Sequence, residues 1–440
     1  MIFAFFYLAV LLLAYMELRV VPQPRRFPTL ALPAWSLVAL LVASYAAQLA
    51  LELWAATHLW GPAAVSGALP IPVVTRAMAH PAAVAALTIA LAAAQSYALL
   101  ALYRSRAKPA PLILGCGAML LLSLAAPALT NADAYAYVGN ALLGAAAYAP
   151  PASAFPGEYR VINAFWHLPM TPTTYGPLWL VVVRTATLAA PTLAGKLIAL
   201  RVYGALLFLA TIAGLRVLGL PSRVLAVVAL NPAMQLEFVA NAHNDMTAIV
   251  LIVAAACFAR RLPLASVALI AAAGLVKLPY VLLGLPVLAA VPAKRARVAM
   301  AFAAVAAVAV FSWLGGGAPY LHALTTHVAG SPSLDPVHVA AALAALVAIA
   351  VALMGGRRLR SAVWLMPSLG AYLDSWYLMW GFPYALGRRR VLASIAIWFP
   401  LVAALVDLTI VQLWTAPLVA AVVAGYLVLN RPPREAIERP

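Results

Sequence analysis

Charge is what this sequence has least of. Only 9% of its 440 residues are charged, whereas 66% are hydrophobic. Water-soluble domains carry about 25% charged residues, so this composition excludes a water-soluble globular protein. The sequence also lacks any hydrophilic stretch of the ~100 residues that a separate soluble domain needs. We therefore predict one polytopic membrane domain over residues 1–440, with no separate soluble domain.

Cysteine is nearly absent as well. Cys116 and Cys257 are the only two, and both lie within apolar segments. Neither has a disulfide or metal partner nearby in the sequence, so both are predicted to be small core residues. Potential metal ligands occur around His322, His327 and Asp335. Their spacing matches no tight zinc pattern, which favours a solvated loop over a metal site.

The charges that are present are mostly basic. Lys and Arg number 28 against 11 Asp and Glu, which gives a net charge of +17. This excess does not indicate nucleic acid, because the basic residues form short clusters between apolar runs. All of these clusters can be placed on one side of the membrane, which the positive-inside rule identifies as cytoplasmic. They are Arg19/Arg25/Arg26, Arg104/Arg106/Lys108, Arg216/Arg223, Arg260/Arg261, Lys294/Arg295/Arg297, Arg357/Arg358/Arg360, Arg388/Arg389/Arg390 and Arg431/Arg434/Arg439.

Apolar runs of roughly 20 residues, long enough to span a ~30 Å hydrocarbon core, recur along the chain. We predict an all-α bundle of about 13–16 membrane segments, surrounded by the lipids of the cell membrane. Residues 131–174 are predicted to form an extracytoplasmic loop with short helices. The predicted spans nearest the candidate residues are Pro33–Ala55, Pro81–Tyr103, Pro111–Leu129, Leu197–Leu215, Val224–Ala240, Met246–Ala259, Leu262–Val276, Pro279–Val291, Val298–Leu314 and Trp376–Gly387.

The segment Tyr175–Pro191 does not fit this topology. It is apolar enough to enter the membrane, but a full crossing would place every later basic cluster outside. Arg184 at its centre would also cost ~2.5–3.5 kcal/mol at the middle of the bilayer. We predict a re-entrant or interfacial helix that returns to the outer face. Because irregular backbone at membrane depth needs cover from protein or from a wet cavity, a cavity is implied beside it.

The few acidic residues lie mostly at the outer ends of spans, where ionisable groups are candidates for a functional site. Asp133 and Tyr135 lie within the stretch Asn131–Tyr137, which starts the long outer segment. Helix capping is one interpretation, because Asn and Asp are good N-cap residues. A catalytic carboxylate is the other, and the aromatic residues that follow, such as Tyr175, favour it.

A second polar cluster follows the span Val224–Ala240. Asn231-Pro232 lies within this span, and proline bends a helix because it cannot donate a backbone hydrogen bond. A plain polar turn would explain the residues at the outer end. Glu237, one turn deeper, favours a binding site, since a solvated turn does not require a carboxylate inside the membrane. The polar residues of the turn are Asn241, His243, Asn244 and Asp245.

Two isolated cations and an aromatic turn complete the candidates. Lys277 lies at the junction of two short spans, and Arg201 lies near the outer end of another. Snorkelling of a long cationic side chain to the interface is the structural interpretation, whereas binding of a phosphate group is the functional one. Trp376 and Tyr377 belong to an outer aromatic segment, Asp374–Pro383, which an interfacial aromatic belt would also explain.

Taken together, these residues resemble the GT-C superfamily of membrane glycosyltransferases. The closest similarity is to its polyprenol-phosphate-mannose-dependent mannosyltransferases of bacterial envelopes. Where that family usually has proline before a Trp-Tyr pair, this chain has Ser375. The matching pieces are Asp133, Tyr175–Trp179, Leu230–Pro232, Asn241–Asp245, Val276–Pro279 and Trp376–Trp380.

The resemblance implies transfer of a sugar, mannose by analogy, from a polyprenyl-phosphate-sugar donor. The acceptor would be an envelope glycan or glycolipid at the extracytoplasmic face, and Asp133 would deprotonate its hydroxyl group. Members that use a lipid monophosphate donor generally need no metal, so we expect no cofactor. The residues expected to bind substrate are Lys277, Arg201, His243, Asn244, Asp245, Tyr135, Tyr175, Trp376 and Tyr377.

The chemistry of such a transfer requires the same groups without reference to any family. It needs a base for the incoming hydroxyl and positive groups for the departing phosphate, which leaves without a general acid. Back-side attack would invert the anomeric centre. A secondary transporter or a lipid flippase is the alternative function. The broken spans fit a transporter, but transporters place their sites near the midplane between repeats, whereas these polar groups gather at one face.

Overall fold

The computed structural model describes residues 32–60, 81–105, 107–126, 133–150, 172–289, 291–329, 375–387 and 389–411. Regular secondary structure within these ranges is helical, apart from an isolated antiparallel bridge between Tyr175 and Lys277. The abundance of Ala and Leu favours helices, and in lipid a helix satisfies its own backbone polar groups. The predicted all-α fold is therefore confirmed.

The helices are named in chain order. The first part of the described chain contains α1 (Ala34–Trp60), α2 (Pro81–Arg104), α3 (Pro109–Ala125), α4 (Asp133–Leu143), α5 (Pro177–Thr187) and α6 (Leu193–Val217). The second part contains α7 (Ser222–Ala229), α8 (Pro232–Gln235), α9 (Asp245–Phe258), α10 (Pro263–Val276), α11 (Leu285–Ala289), α12 (Lys294–Ala329) and α13 (Arg389–Val411). A π-helical segment (Leu236–Ala240) continues α8, and 3₁₀ helices occupy Gly144–Tyr148, Leu278–Gly284, Ser375–Gly381 and Pro383–Ala385.

Several described helices are suited to a membrane. Four are long and apolar enough to cross it, or five if α7 and α8 with its π-helical extension form one bent span. Apolar side chains such as Leu206 and Phe302 are exposed on their surfaces. Together with the composition, this identifies a membrane protein. The total number of segments stays a prediction, because residues 330–374 and 412–440 lie outside the described residues.

The predicted bend at Asn231-Pro232 is confirmed, since α7 meets the following helix at an angle of 54°. Asn231 caps α8 by accepting a hydrogen bond from the backbone N–H of Met234 at 3.0 Å. Its side-chain amide donates to the carbonyl oxygen of Ala396 in α13 at 2.5 Å. The bend is therefore fixed by a partner far along the chain and not by proline alone.

Three predicted segments differ from the structure in length or type. Helix α5, within the predicted re-entrant segment, has 11 residues, so it is ~16 Å long, about half of a ~30 Å hydrocarbon core. Its re-entry stays a prediction, and Arg184 on it is exposed. The predicted span Trp376–Gly387 is largely 3₁₀ helix instead, and the predicted span Pro279–Val291 is divided between 3₁₀ helix and the short α11. Prolines at positions 279 and 383 interrupt regular α-helical hydrogen bonding there.

Candidate active site

Most of the predicted site residues lie together. They come from the start of α4, the strand-like residue before α5, the turn before α9, the junction after α10 and the 3₁₀ helix Ser375–Gly381. The contacts described below link Asp133, Tyr175, His243, Asn244, Asp245, Lys277, Trp376 and Tyr377. We call the surroundings of Asp133 the carboxylate side and the surroundings of Lys277 the cation side.

The carboxylate side starts at Asp133, the first residue of α4, whose side chain is 15% exposed. Its Oδ2 atom accepts a hydrogen bond from the Tyr137 hydroxyl at 3.2 Å. Residues four apart share one face of a helix, so the sequence itself brings this pair together. The same Oδ2 atom lies 3.6 Å from Nδ1 of His243. Asp133 is thus held by its own helix and by the turn before α9.

His243 lies between two carboxylates. Its Nε2 atom is 3.3 Å from Oε2 of Glu237, and its side chain is fully buried. The Asn241 side-chain amide donates to the same Glu237 oxygen at 3.1 Å. The ring of Trp376 stacks on the imidazole with 3.9 Å between centroids and 20° between planes. Ring edge and ring face of His243 are therefore both occupied by protein.

The backbone before His243 is strained. Ala242 has a φ of 53°, which is rare for a residue with a β-carbon. The turn lets the His243 N–H donate to the carbonyl oxygen of Glu237 at 3.1 Å. Strain of this kind costs about 1–3 kcal/mol and concentrates at functional sites. Here it directs the imidazole back towards the π-helical segment.

Burial and charge act in opposite directions on this side. Burial raises the pKa of Asp133, and the positive charges of His243 and Lys277 only partly offset that effect. For His243, burial alone would lower the pKa. The hydrogen bond and charge of Glu237, with the charges of Asp133 and Asp245, outweigh burial and raise the pKa of His243 overall. The imidazole is therefore biased towards its protonated form.

The cation side is built on an unusual backbone pairing. Lys277 is in extended conformation and forms an antiparallel bridge with Tyr175. The N–H of Gly176 donates to the carbonyl oxygen of Val276 at 2.8 Å. A β-carbon on Gly176 would lie 2.1 Å from the carbonyl oxygen of Leu275. Only glycine permits this close approach, which places Tyr175 beside Lys277.

Aromatic rings surround the Lys277 ammonium group. Its Nζ atom donates to the Tyr377 hydroxyl at 2.8 Å. Nζ is 4.5 Å from the centroid of the Tyr377 ring and 5.8, 5.8 and 5.6 Å from those of Tyr175, Tyr280 and Trp380. All four are within the ~6 Å range of cation–π attraction. Ring faces attract a cation without neutralising its charge, so the surroundings suit an anionic group.

Asn244 and Asp245 form the wall behind the cation side. The Tyr280 hydroxyl donates to the Asn244 side-chain oxygen at 3.1 Å. The Trp380 indole N–H donates to Asp245 Oδ1 at 2.6 Å. The rings of Tyr280 and Trp380 pack edge to face, 5.4 Å between centroids. Both polar residues are buried; Asp245 anchors the 3₁₀ helix Ser375–Gly381, and Asn244 anchors the 3₁₀ helix Leu278–Gly284.

Tyr137 and Tyr175 connect the carboxylate side with the cation side. The ring of Tyr137, which donates to Asp133, packs edge to face on Tyr175 with 5.0 Å between centroids. Tyr175 in turn lies under Lys277. Asp133 and Lys277 are close enough for the lysine charge to act on the carboxylate. Asp133 and Lys277 thus belong to one cluster of linked side chains.

Arg201 and Tyr135 have other surroundings. The Arg201 guanidinium is buried and donates to the carbonyl oxygen of Ala240 at 2.9 Å and to that of Ala126. These are the last residue of the π-helical segment and the C-cap of α3. Tyr135 is buried and lies within electrostatic range of Arg201. Arg201 therefore links two helix ends in this structure, and its contact with a donor phosphate stays a prediction.

Four residues of the pocket were not predicted as site residues: Tyr137, Glu237, Tyr280 and Trp380. The spacing of Tyr137 from Asp133 was a usable signal, because helical residues four apart are neighbours. The depth of Glu237 in its span was another. Tyr280 and Trp380 gave no signal beyond the motifs that contain them. Among the described residues, no group of three or more His, Cys, Asp and Glu is placed to hold a metal ion.

Comparison with known protein families identifies one that the chain matches. Residues 39–294 match the MptA_B family, described as alpha-(1->6)-mannopyranosyltransferase, N-terminal domain. A search of curated proteins and a search of solved structures give no match. The matched range covers more than half of the chain and includes Asp133, Tyr175, His243 and Lys277. The chain therefore belongs to this family of mannosyltransferases, which are of the GT-C type.

Proposed function

We propose that the protein transfers mannose from a polyprenyl-phosphate-mannose donor to a glycan or glycolipid acceptor at the extracytoplasmic face. The observation that carries the proposal is the joint placement of Asp133 and Lys277 in one pocket, linked through Tyr137 and Tyr175. One group suits proton removal from a hydroxyl, and the other suits a phosphate. The family supports mannose as the sugar.

In this mechanism Asp133 accepts the proton of the acceptor hydroxyl while its oxygen attacks the anomeric carbon of the donor. The bond between that carbon and the phosphate oxygen breaks, and polyprenyl phosphate leaves with both electrons. Burial, which raises the pKa of Asp133, makes it a stronger base than an exposed aspartate. No general acid is required, because a phosphate monoester is a good leaving group.

Lys277 stabilises the negative charge that develops on the departing phosphate. A charge-assisted hydrogen bond to an ionised oxygen is stronger than a neutral one. Tyr377, which accepts from Lys277 at 2.8 Å, fixes the direction of the ammonium group. Such preorganised charge is the usual source of transition-state stabilisation.

Single-step back-side attack inverts the anomeric centre. The family name specifies an alpha-(1->6) product. If the linkage formed is alpha, an inverting transfer requires a donor in which mannose is beta-linked to phosphate. The acceptor must present a primary 6-hydroxyl group, again by the family name. A beta-linked polyprenyl-phosphate mannose is therefore the donor we propose.

The decisive test supplies purified protein with radiolabelled polyprenyl-phosphate mannose and octyl α-mannoside as the acceptor. GDP-mannose, the nucleotide alternative, serves as a second donor in parallel reactions. We expect labelled octyl dimannoside with an alpha linkage from the lipid donor alone. Transfer from GDP-mannose with none from the lipid donor would refute the proposal.

The extracytoplasmic placement needs its own test. Cysteines introduced as Glu158→Cys and Arg358→Cys, in a chain lacking Cys116 and Cys257, are probed with an impermeant thiol reagent on intact cells. We expect labelling at position 158 before membrane disruption and at position 358 only after it, because basic clusters stay in the cytoplasm. Equal labelling of both on intact cells would contradict this topology.

A further inference from the structure

We propose that His243 is a positioning residue whose imidazolium, held between Glu237 and Asp133, keeps Asp133 ionised and oriented for proton removal. This inference rests on the proposed role of Asp133 as the base. It differs from the expected binding of sugar by His243, and the geometry of the ring distinguishes the two roles.

Both ring nitrogens of His243 face protein carboxylates. Nδ1 is 3.6 Å from Oδ2 of Asp133, and Nε2 is 3.3 Å from Oε2 of Glu237. A sugar hydroxyl would need one of these nitrogens as its partner. The stacked Trp376 covers one face of the ring, and the side chain is fully buried. The ring is therefore built to contact protein groups and not a substrate.

Charged groups face the ring from three elements of the described chain. Asp133 faces it from α4, Glu237 from the π-helical segment and Asp245 from α9, while Lys277 acts on Asp133 from the cation side. Trp376 contributes an uncharged ring. A protonated imidazole beside Asp133 favours the ionised form of this carboxyl group.

This matters because a base must begin each turnover without its proton. Burial raises the pKa of Asp133 and so favours the protonated, inactive form. The positive charge of His243 works against burial. Glu237 is the partner that keeps His243 protonated, since burial alone would deprotonate it. Glu237 thus acts on Asp133 through the imidazole.

The test is the pH dependence of transfer by His243→Gln, with polyprenyl-phosphate mannose and octyl α-mannoside as substrates. An opposite charge within ~4–6 Å lowers a carboxyl pKa by about 1–3 units. Loss of the imidazolium should therefore move the acidic limb of the kcat profile about 1–3 pH units upward. The KM for the donor should not change. His322→Gln, the same substitution at an exposed position of α12, should leave the profile in place.

Two outcomes overturn the inference. A uniform loss of kcat with an unmoved acidic limb would indicate a purely structural role, and a raised donor KM with an unmoved limb would indicate sugar binding. If His243→Gln does not fold, the doubly neutral Glu237→Gln/His243→Gln variant is measured, with the same criteria. Asp133→Asn in parallel separates the two proposals: full activity there refutes the base itself, whatever the His243 result.

Discussion

The carboxylate side and the cation side of the pocket are built by different means. Asp133 is held by a tyrosine of its own helix and by a buried imidazole that a second carboxylate supports. Lys277 is surrounded by four aromatic rings and one phenol hydroxyl. On the carboxylate side, the charge of Asp133 is balanced by protein groups. On the cation side, rings orient a charge that remains able to meet an anion.

The two kinds of surroundings suit the two roles proposed for Asp133 and Lys277. A base needs a controlled protonation state, which nearby charges provide. A phosphate-binding group needs a fixed position and a positive charge, and ring faces help to fix that position. The predictions below either remove one side or test how the two are coupled.

The largest effect is expected from Asp133→Asn. Asparagine caps a helix about as well as aspartate, so the fold should be retained. It cannot accept the acceptor proton, and loss of a general base costs about 10²–10⁴-fold in rate. Measured kcat should fall by that factor while the melting temperature stays within error. Transfer of mannose at nearly the normal rate by Asp133→Asn would show that Asp133 is not the general base.

Removal of the positive charge of Lys277 should weaken binding of the donor. In Lys277→Ala a charged hydrogen bond of about 1.5–3 kcal/mol is lost, which corresponds to a roughly 10–150-fold weaker interaction with the donor phosphate. Donor affinity and kcat should fall together. Lys196→Ala is the matched control, because Lys196 donates to a backbone carbonyl in its own segment. Normal donor affinity in Lys277→Ala would exclude this lysine from the site.

The link between the two sides can be disturbed without touching a charge. In Gly176→Ala the new β-carbon would overlap the carbonyl oxygen of Leu275, so the bridge between Tyr175 and Lys277 must shift. Overpacking of this kind costs about 1–3 kcal/mol of stability. We expect a lower melting temperature and a higher donor KM. Gly117→Ala, where a β-carbon meets nothing within 4 Å, is the control and should match wild type.

The smallest effect on catalysis is expected from Arg201→Lys. The guanidinium donates to two carbonyl oxygens, and each hydrogen bond is worth about 0.5–1.5 kcal/mol. Lysine keeps the charge but cannot reproduce the two-pronged geometry. Thermal stability should decrease while donor KM remains normal. A selective rise in donor KM would support the predicted contact between Arg201 and the donor phosphate.

The sequence predicted local relations well. Hydrophobic runs gave the helical membrane fold, and Asn231-Pro232 gave the bend. Local sequence signals these features, although the bend is also held by the distant Ala396. The bonds of Arg201 to two carbonyl oxygens could not be predicted, because sequence does not show which carbonyl groups lack helical partners. At Ala126 and Ala240 helices end, and a buried arginine satisfies those ends.

Contacts between residues far apart in the sequence could not be predicted either. The motifs containing Tyr175, Lys277 and Trp376 were each visible, but nothing in their spacing gave the stacking of Trp376 on His243 or the bridge between Tyr175 and Lys277. Such contacts follow from how helices pack, and packing is decided by shape at many positions at once. The resemblance to GT-C enzymes grouped these motifs into one site, which hydrophobic periodicity alone could not do.

The hydrogen bond between Lys277 and Tyr377 joins residues 100 positions apart. Chains grow on the ribosome at roughly 5–20 residues per second, so Tyr377 is synthesised about 5–20 s after Lys277. During that interval the lysine and the polar turn at Asn244 and Asp245 have neither Trp380 nor Trp376 to cover them. Biosynthesis therefore passes through a stage in which half of the pocket is in the membrane without its aromatic wall. Quality-control factors or lipid headgroups would meet a charged, uncovered surface at that stage.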